Sequence, residues 1–388
     1  MKAAKPPCQQ LRTAGLFSGI GGLELGLSAA GHPNRLLCEI DPPARAVLER
    51  HSRHGLSIHA DVRAIESLPR DVDLLVAGFP CQDLSQAGRT AGITGARSGL
   101  VREVMRLLEG RRVPWLVLEN VPFMLQLAKG QALEVIVAEL ERLKYRWAYR
   151  VVDTRAFGLP QRRRRVLIVA ALDADPRRVL FADDAGEPAP IAAEGRACGF
   201  YWTEGIRGLG WAVDAIPTLK GGSSIGVPSP PAIWMPDGRI VTPDLRDAER
   251  LQGFDSDWTS AAETVARGNS RWKLVGNAVS VPVARWLGER LARPGEALVD
   301  ATRQLVSGRS WPRAAWNMGD GRFEVEISEW PRREPQPTLQ EFLRYEPKPL
   351  SARATLGFLQ RTKKGSLRFP LGFIPAIERH LAAVQHRA

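Results

Sequence analysis

Cys81 stands where chemistry could be done. It lies in Gly78-Phe79-Pro80-Cys81-Gln82, just after the apolar run 72–77 and just before 83–99, a glycine-punctuated stretch without periodicity. The run predicts a buried strand. A thiol therefore sits where a strand gives way to a loop, the position at which open α/β sheets place their ligands. Pro80 fixes its own φ and biases Phe79 to an extended conformation, so Cys81 is offered on a stiff stem. A free cysteine is often an inert core residue instead, and this stretch by itself leaves both readings open.

Two further groups belong to the same edge. Glu119, in Leu118-Glu119-Asn120-Val121, closes the strand after Pro114-Trp115. In a doubly wound sheet it projects beside Cys81, where a carboxyl kept partly neutral acts as a general acid to a ring nitrogen. An N-cap or surface acid is the plain alternative. Gln161-Arg162-Arg163-Arg164-Arg165 runs straight into the apolar 166–169. Alternation predicts Arg163 and Arg165 on one face and Arg162 and Arg164 on the other. Such a run is usually a solvated patch. This one abuts a buried strand, so some guanidiniums must reach carboxylates or ligand oxygens. Cations there would also favour the Cys81 thiolate.

A glycine-rich turn, Gly15-Leu16-Phe17-Ser18-Gly19-Ile20-Gly21-Gly22-Leu23-Glu24, joins the first strand to the first helix. Its glycines allow a ligand to approach the backbone. A dinucleotide site wants a third glycine where this chain has Glu24. An acid at a helix start suits pyrophosphate poorly but suits a ligand with a positive centre or an amino group, and S-adenosylmethionine has both. Glu39, about twenty residues on, is placed for ribose hydroxyls. Ile40 offers an apolar face to adenine, and Asp61 an acceptor for its amino group.

The elements that must position these groups are legible as alternation. Strands are expected at 12–16, 35–40, 72–77, 115–118, 148–153 and 166–170, and helices at 23–30, 44–50, 100–108 and 132–143. That order predicts an α/β, doubly wound, mainly parallel sheet. After residue 171 the chain becomes rich in glycine, proline and aromatics, as a smaller loop-rich domain with short strands would be. Helices return at 243–252, with Thr242 as N-cap, and at 281–291, with Pro282 in the first turn. The expected divisions are 1–171, 172–240, 241–295 returning to the first domain, and an extension over 296–388.

The 388 residues carry 54 Lys and Arg against 42 Asp and Glu, a net charge of +12. Such an excess points to a polyanionic partner, most simply nucleic acid. Half of it lies between 350 and 388, where seven Lys and Arg face one acid, Glu378. The extension reads either as a packing appendage or as extra DNA contact. The four cysteines are far apart and no histidines cluster, so neither a disulfide framework nor a metal site is indicated. The N-terminus lacks a signal-peptide core and no run reaches membrane-spanning length; a reducing cytoplasm fits.

The motif order adds a resemblance. Phe17-Ser18-Gly19-Ile20-Gly21-Gly22, Pro80-Cys81-Gln82, Glu119-Asn120-Val121, Gln161-Arg162-Arg163-Arg164-Arg165, Leu251-Gln252-Gly253-Phe254 and Gly276-Asn277-Ala278-Val279 follow one another as in the DNA cytosine carbon-5 methyltransferases. The resemblance spans about 12–291. It implies a methyltransferase fold with a target-recognition domain at 172–240. It also implies methyl transfer from S-adenosylmethionine to a cytosine extruded from double-stranded DNA. On it, Cys81 attacks carbon 6, Glu119 holds and protonates the base, and Arg163 and Arg165 steady the adduct.

Cofactor contacts implied are Phe17, Gly19, Ile20, Gly22, Glu39, Ile40, Asp61, Val62, Pro80, Leu100, Asn277 and Val279. DNA contacts implied are Gln82, Ser85, Thr218, Gly221 and Gly222, with 83–99 as a closing loop. Ile40 departs from the aromatic many members carry, and Arg164 from an acid. The expected setting is a bacterial, nucleoid-associated monomer, with a cognate restriction endonuclease as a possible companion. The competing readings are an RNA cytosine methyltransferase on the same fold and a DNA-binding regulator without catalysis.

Overall fold

The computed structural model describes residues 9–79, 99–223, 230–266, 270–299, 302–306 and 310–386. The chain forms two compact units. The first is Met1–Ala156, Arg164–Glu187 and Val279–Arg333; the second is Phe157–Arg163, Pro188–Ala278 and Glu334–Ala388.

The first unit is built on a ten-stranded sheet. Its strands are β1 (Thr13–Leu16), β2 (Asn34–Cys38), β3 (Ser57–His59), β4 (Leu74–Ala77), β5 (Trp115–Asn120), β6 (Arg146–Asp153), β7 (Arg164–Ala171), β8 (Thr302–Gln304), β9 (Ala314–Asn317) and β10 (Arg322–Val325). Across the sheet they run β8-β10-β9-β6-β7-β5-β4-β1-β2-β3. From β3 to β5 every neighbour is parallel, with Thr13 opposite Leu74 and Leu74 opposite Trp115. From β5 to β8 every neighbour is antiparallel. The parallel block is the doubly wound part, and helices serve its crossovers: α1 (Gly22–Ala29), α2 (Pro42–His51) and α3 (Gly99–Gly110). β4 and β5 are buried at every residue, which is why β4, and β5 as far as Leu118, read as apolar runs.

α4 (Gln131–Arg142) buries Leu133, Ile136, Val137 and Leu140 in the same core at helical spacing. α5 (Val281–Ala292) has Ser280 as N-cap and Pro282 in its first turn. It lies close to α1 at Gly26, where a Cβ would come within 2.6 Å of the Arg285 amide nitrogen.

The second unit holds an antiparallel sheet ordered Ala212–Val213, Cys198–Phe200, Ala232–Trp234, Ile240–Thr242, Lys348–Pro349. The helices Ala352–Thr362 and Phe373–Gln385 cover it. Phe358 and Phe373 close on Phe200 at ring distances of 5.3 and 4.9 Å. A second cluster joins Ile216, Leu219 and Ile233 to Ala248, Leu251 and Val275.

These cores divide the chain differently from the expected domains. Residues 241–278 belong to the second unit, because helices Leu245–Leu251 and Ser270–Asn277 bury their apolar faces there. The extension is not one piece either. β8 to β10 continue the large sheet, with Trp311 edge-on to Trp147 and Tyr149. Residues beyond 333 pack into the second unit. Thr242 is a strand residue rather than an N-cap; Asp244 caps the next helix, its side chain accepting from the Arg246 amide. Among the described residues no helix is long and apolar enough to cross a membrane.

Candidate active site

The glycine turn follows β1. Phe17 has φ +57°, Gly19 +55° and Gly21 +87°, and Gly21 is the N-cap of α1. A left-handed phenylalanine stores strain of about 1–3 kcal/mol, a feature that gathers at ligand sites. Glu39, just past β2, is pinned by backbone. Its Oε2 accepts from the Gly19 amide at 2.7 Å and its Oε1 from the Asp41 amide at 2.8 Å. Burial raises its pKa while those amides oppose the rise. Ile40 beside it is 60% exposed. Past β3, Asp61 caps the turn Val62–Ala64. Its Oδ1 accepts from Arg63 N and Nε, which keeps the carboxyl below its ordinary range. Ile20, Gly22 and Val62 are buried, and Leu100 on α3 is half-buried against the core. The carboxyl ends of β1, β2 and β3 thus bring together Phe17, Gly19, Ile20, Gly22, Glu39, Ile40, Asp61 and Val62.

Glu24 gives this turn its electrostatic character. It is 3% exposed, and a Cβ on Gly15 would run into its carboxylate. Ser18 lies beside it and favours the charged form. Even so, neither carboxylate oxygen has a full hydrogen-bond partner among the described residues. Burial pushes the carboxyl up to about 7. A buried acid in a glycine turn, with no cation paired to it among the described residues, fits a ligand that brings its own positive charge. The residues present therefore fit S-adenosylmethionine.

The second cluster lies at the ends of β4 and β5. Glu119 is 7% exposed and its Oε1 meets Arg165 Nε at 2.8 Å. Its Oε2 faces the β4 side: a Cβ on Gly78 would stand 3.5 Å from it. Asn120 Nδ2 donates to the Phe79 carbonyl at 3.0 Å, and Asn120 Oδ1 accepts from the Val121 amide. The acid and the chain segment leading to Pro80-Cys81 are therefore fastened to the same strand end. Pro80, Cys81, Gln82, Ser85 and the rest of the expected loop up to residue 98 lie outside the described residues. The two cysteines that are described, Cys38 and Cys198, are buried, with thiols pushed up by burial to about 12 and about 11. Neither is poised as a nucleophile.

The arginine run does not form one strand, which corrects the expected pairing of Arg163 with Arg165. Gln161–Arg162 pairs in parallel with Ile216–Pro217 in the second unit, whereas Arg164 opens β7. Arg163, between them, is 1% exposed. Its guanidinium donates to the carbonyls of Leu219 at 2.9 Å, Gly276 at 3.3 Å and Ala278 at 2.5 Å. A cation so occupied is a bolt within the second unit, and a direct role at a base does not follow from its geometry. Arg164 pairs with Glu329.

Gln161 and Gln252 complete the bolt, a role the sequence reading missed. Gln161 Nε2 donates to the Leu251 carbonyl at 2.7 Å, its Oε1 accepts from the Leu219 amide, and Gln252 Nε2 donates to the Val275 carbonyl. Their signal was two glutamines in otherwise basic or apolar surroundings. Thr218 Oγ1 donates to the Arg162 carbonyl at 2.8 Å. A Cβ on Gly221 would strike the Asn277 amide, so these two are in contact, while Gly222 faces open space. Asn277 ends a helix of the second unit; Val279 resumes the first.

Comparison with known proteins places this geometry in a family. Residues 11–187 match the family model described as C-5 cytosine-specific DNA methylase. The chain is 47% identical over 383 residues to the type II methyltransferase M2.BsuMI of Bacillus subtilis (strain 168), covering 95% of this chain and 98% of the relative. It is 30% identical over 324 residues to the type II methyltransferase M.NgoBI of Neisseria gonorrhoeae, covering 76% and 93%. The solved structure of the S. pombe Dnmt2 methyltransferase shares the fold, with a TM-score of 0.54 at 18% identity over 73% of this chain and 98% of that one. The chain belongs to the C-5 cytosine-specific DNA methylases. It is a DNA cytosine-5 methyltransferase similar to type II methyltransferases, and DNA is its substrate.

Proposed function

We propose that the enzyme methylates carbon 5 of one cytosine within a defined duplex sequence by covalent attack of Cys81, as the modification member of a restriction-modification pair or as a solitary methylase. The observation that carries this is the Glu119–Arg165 pair, held at the end of β5 with Glu119 Oε2 facing Gly78, three residues before Cys81. The base is extruded so that its ring reaches this edge. The Cys81 thiolate adds to carbon 6, and Glu119 Oε2 shares a proton with the ring nitrogen that gains electron density. Arg165 fixes Oε1 and directs positive charge at the base carbonyl oxygen. S-adenosylmethionine, when bound, supplies the electrophilic methyl group for carbon 5. Loss of the carbon 5 proton and departure of the thiolate restore the ring.

Phe17, Gly19, Ile20, Gly22, Glu39, Ile40, Asp61, Val62 and Leu100, with Pro80, Asn277 and Val279, form the cofactor site in this reading. Glu39 takes the ribose hydroxyls, Ile40 the adenine face, and Glu24 balances the donor's positive charge. Gln82, Ser85, Thr218, Gly221 and Gly222 touch DNA. Arg163 acts as a positioning residue. The test is trapping on duplex DNA carrying 5-fluorocytosine, in a sequence first mapped by bisulfite sequencing of plasmid from cells expressing the chain. Wild type is expected to form a denaturation-resistant adduct and Cys81→Ala none. An adduct that survives Cys81→Ala removes the nucleophile assignment, and labelling of RNA alone removes duplex DNA as the target.

A further inference from the structure

The second unit carries a cluster of cations that no step above uses. Helix Ala352–Thr362 ends in Lys363 and Lys364, both exposed, and the following turn exposes Arg368. This turn is seated on the loop 203–208. A Cβ on Gly365 would come within 2.7 Å of the Ile206 carbonyl oxygen, and one on Gly205 within 3.2 Å of the Phe358 ring. Arg361 fastens the two segments, donating to the carbonyls of Trp202 and Glu204. Arg207, next to Ile206, is exposed as well. Arg207, Lys363, Lys364 and Arg368 are thereby gathered at one place, and none has a carboxylate partner among the described residues. A helix C-terminus rationalises Lys363 and Lys364. It does not rationalise Arg207 or Arg368, which belong to no helix.

The same loop leads to the stretch assigned above to DNA. Tyr201 Oη donates to the Thr218 carbonyl at 2.6 Å, and Lys220 Nζ meets Glu204 Oε1 at 2.7 Å while lying 3.7 Å over the Tyr201 ring. The 201–208 segment thus contacts Thr218 and Lys220 through Tyr201 and Glu204, and the turn that follows Thr362 through Ile206. We propose that Arg207, Lys363, Lys364 and Arg368 form a backbone subsite for duplex DNA flanking the methylated sequence. The subsite engages phosphates through charge alone, so it adds affinity without sequence preference. It rests on the reading of Thr218 to Gly222 as a DNA-contacting stretch. The extension thus serves two ends: its apolar side packs on Phe200, and its outer side lengthens the footprint.

The test compares duplexes of about 40 and about 12 base pairs, both centred on the mapped sequence, by fluorescence anisotropy over a salt series. The triple variant Lys363→Gln, Lys364→Gln, Arg368→Gln is expected to bind the long duplex about tenfold more weakly, with a salt slope lower by about 2–3. It is expected to match wild type on the short duplex and to lie within a few degrees of it in melting temperature, since these side chains make no ion pair among the described residues and a helix-end charge contributes only modestly to stability. Replacing three exposed cations of the first unit, Arg50, Arg53 and Lys144, by glutamine is expected to leave long-duplex binding within about twofold. Equal affinity of triple variant and wild type on the long duplex overturns the subsite, as does an equal loss in the first-unit control. Should the triple variant misfold, wild type alone decides: its salt slope must be steeper on the long duplex than on the short one. Failure of the methylation reading is seen separately, as absence of 5-methylcytosine in the bisulfite map.

Discussion

Two buried acids mark the two proposed ligand regions of the first unit, and their surroundings differ. Glu119, at the end of β5, is matched by the Arg165 guanidinium at 2.8 Å. Glu24, in the turn after β1, has no cation paired with it among the described residues, and burial pushes its carboxyl up to about 7. The matched acid is balanced in charge: the guanidinium stands 2.8 Å from one oxygen as an ion pair, and the other oxygen faces the β4 side. In the proposed reading the unmatched acid is completed by a ligand that brings positive charge. In that reading the sheet separates the two functions. One strand end carries preorganised polar chemistry, and the neighbouring turn carries an electrostatic deficit for a cationic ligand to fill.

The largest effect that tests this contrast falls on the matched acid. Glu119→Gln keeps the shape but removes the group proposed to share a proton with the base. It is expected to lower kcat about a thousandfold, within the usual range for a general acid. Cofactor affinity, read by calorimetry, should change little. A loss expressed in cofactor affinity with kcat preserved would break the division of labour between the two acids.

The two arginines sharpen the same contrast. Arg165 faces an acid, whereas the Arg163 guanidinium donates to the carbonyls of Leu219, Gly276 and Ala278. Arg163→Leu strands three buried carbonyls and is expected to destabilise the second unit by about 4 kcal/mol. Hydrogen exchange should then rise at 216–219 and 275–278 while β4 and β5 stay protected. Arg165→Lys should instead lower kcat with protection unchanged. Equal protection in both variants would return Arg163 to the reaction.

Much of this was readable beforehand, and the reasons are physical. β1, β4 and β5 are buried along their length, so their sequences are mainly apolar, and the proposed site lies at their ends, as parallel sheets lead one to expect. The division of the arginine run was not readable. It depends on Ile216–Pro217 capturing Gln161–Arg162, more than fifty residues away, and no local periodicity records that. The fate of the extension was hidden for the same reason: Lys348–Pro349 joins Ile240–Thr242 across about a hundred residues. Glu24 was visible as an acid in a glycine turn. What a sequence cannot display is the absence of a nearby cation.

Glu24 supplies a pH test of intermediate size. Its carboxyl lies at about 7 in the folded chain against an ordinary 4.5. The folded state binds this proton more tightly, so the associated stability is complete below about pH 4.5 and is lost as pH rises through about 7. The full span is about 3 kcal/mol. Glu24→Gln should therefore melt higher than wild type at pH 8, by an amount that shrinks toward pH 5. The donor's charge should reverse the advantage. S-adenosylmethionine is expected to bind the wild type more tightly as pH rises through 7, and the variant without that dependence. A variant melting no higher than wild type at pH 8 would mean that the acid already has a partner.

Ile40 gives the smallest effect and the clearest separation of ligand from fold. It is 60% exposed past the end of β2, beside a Glu39 pinned by two backbone amides. A side chain so exposed contributes little to folding, so Ile40→Ala should alter stability by less than about 0.5 kcal/mol. If adenine lies on it, the lost apolar area is worth about 1 kcal/mol, or roughly a fivefold rise in the Kd of S-adenosylmethionine. Ile40→Trp should lower that Kd by adding a stacking face. Glu39 and Glu24 are untouched in both variants, so the pH dependence of binding should persist. Opposite shifts in Kd at constant melting temperature would locate the adenine at β2. A constant Kd across all three side chains would leave Ile40 as a surface residue and move the adenine elsewhere along the parallel edge.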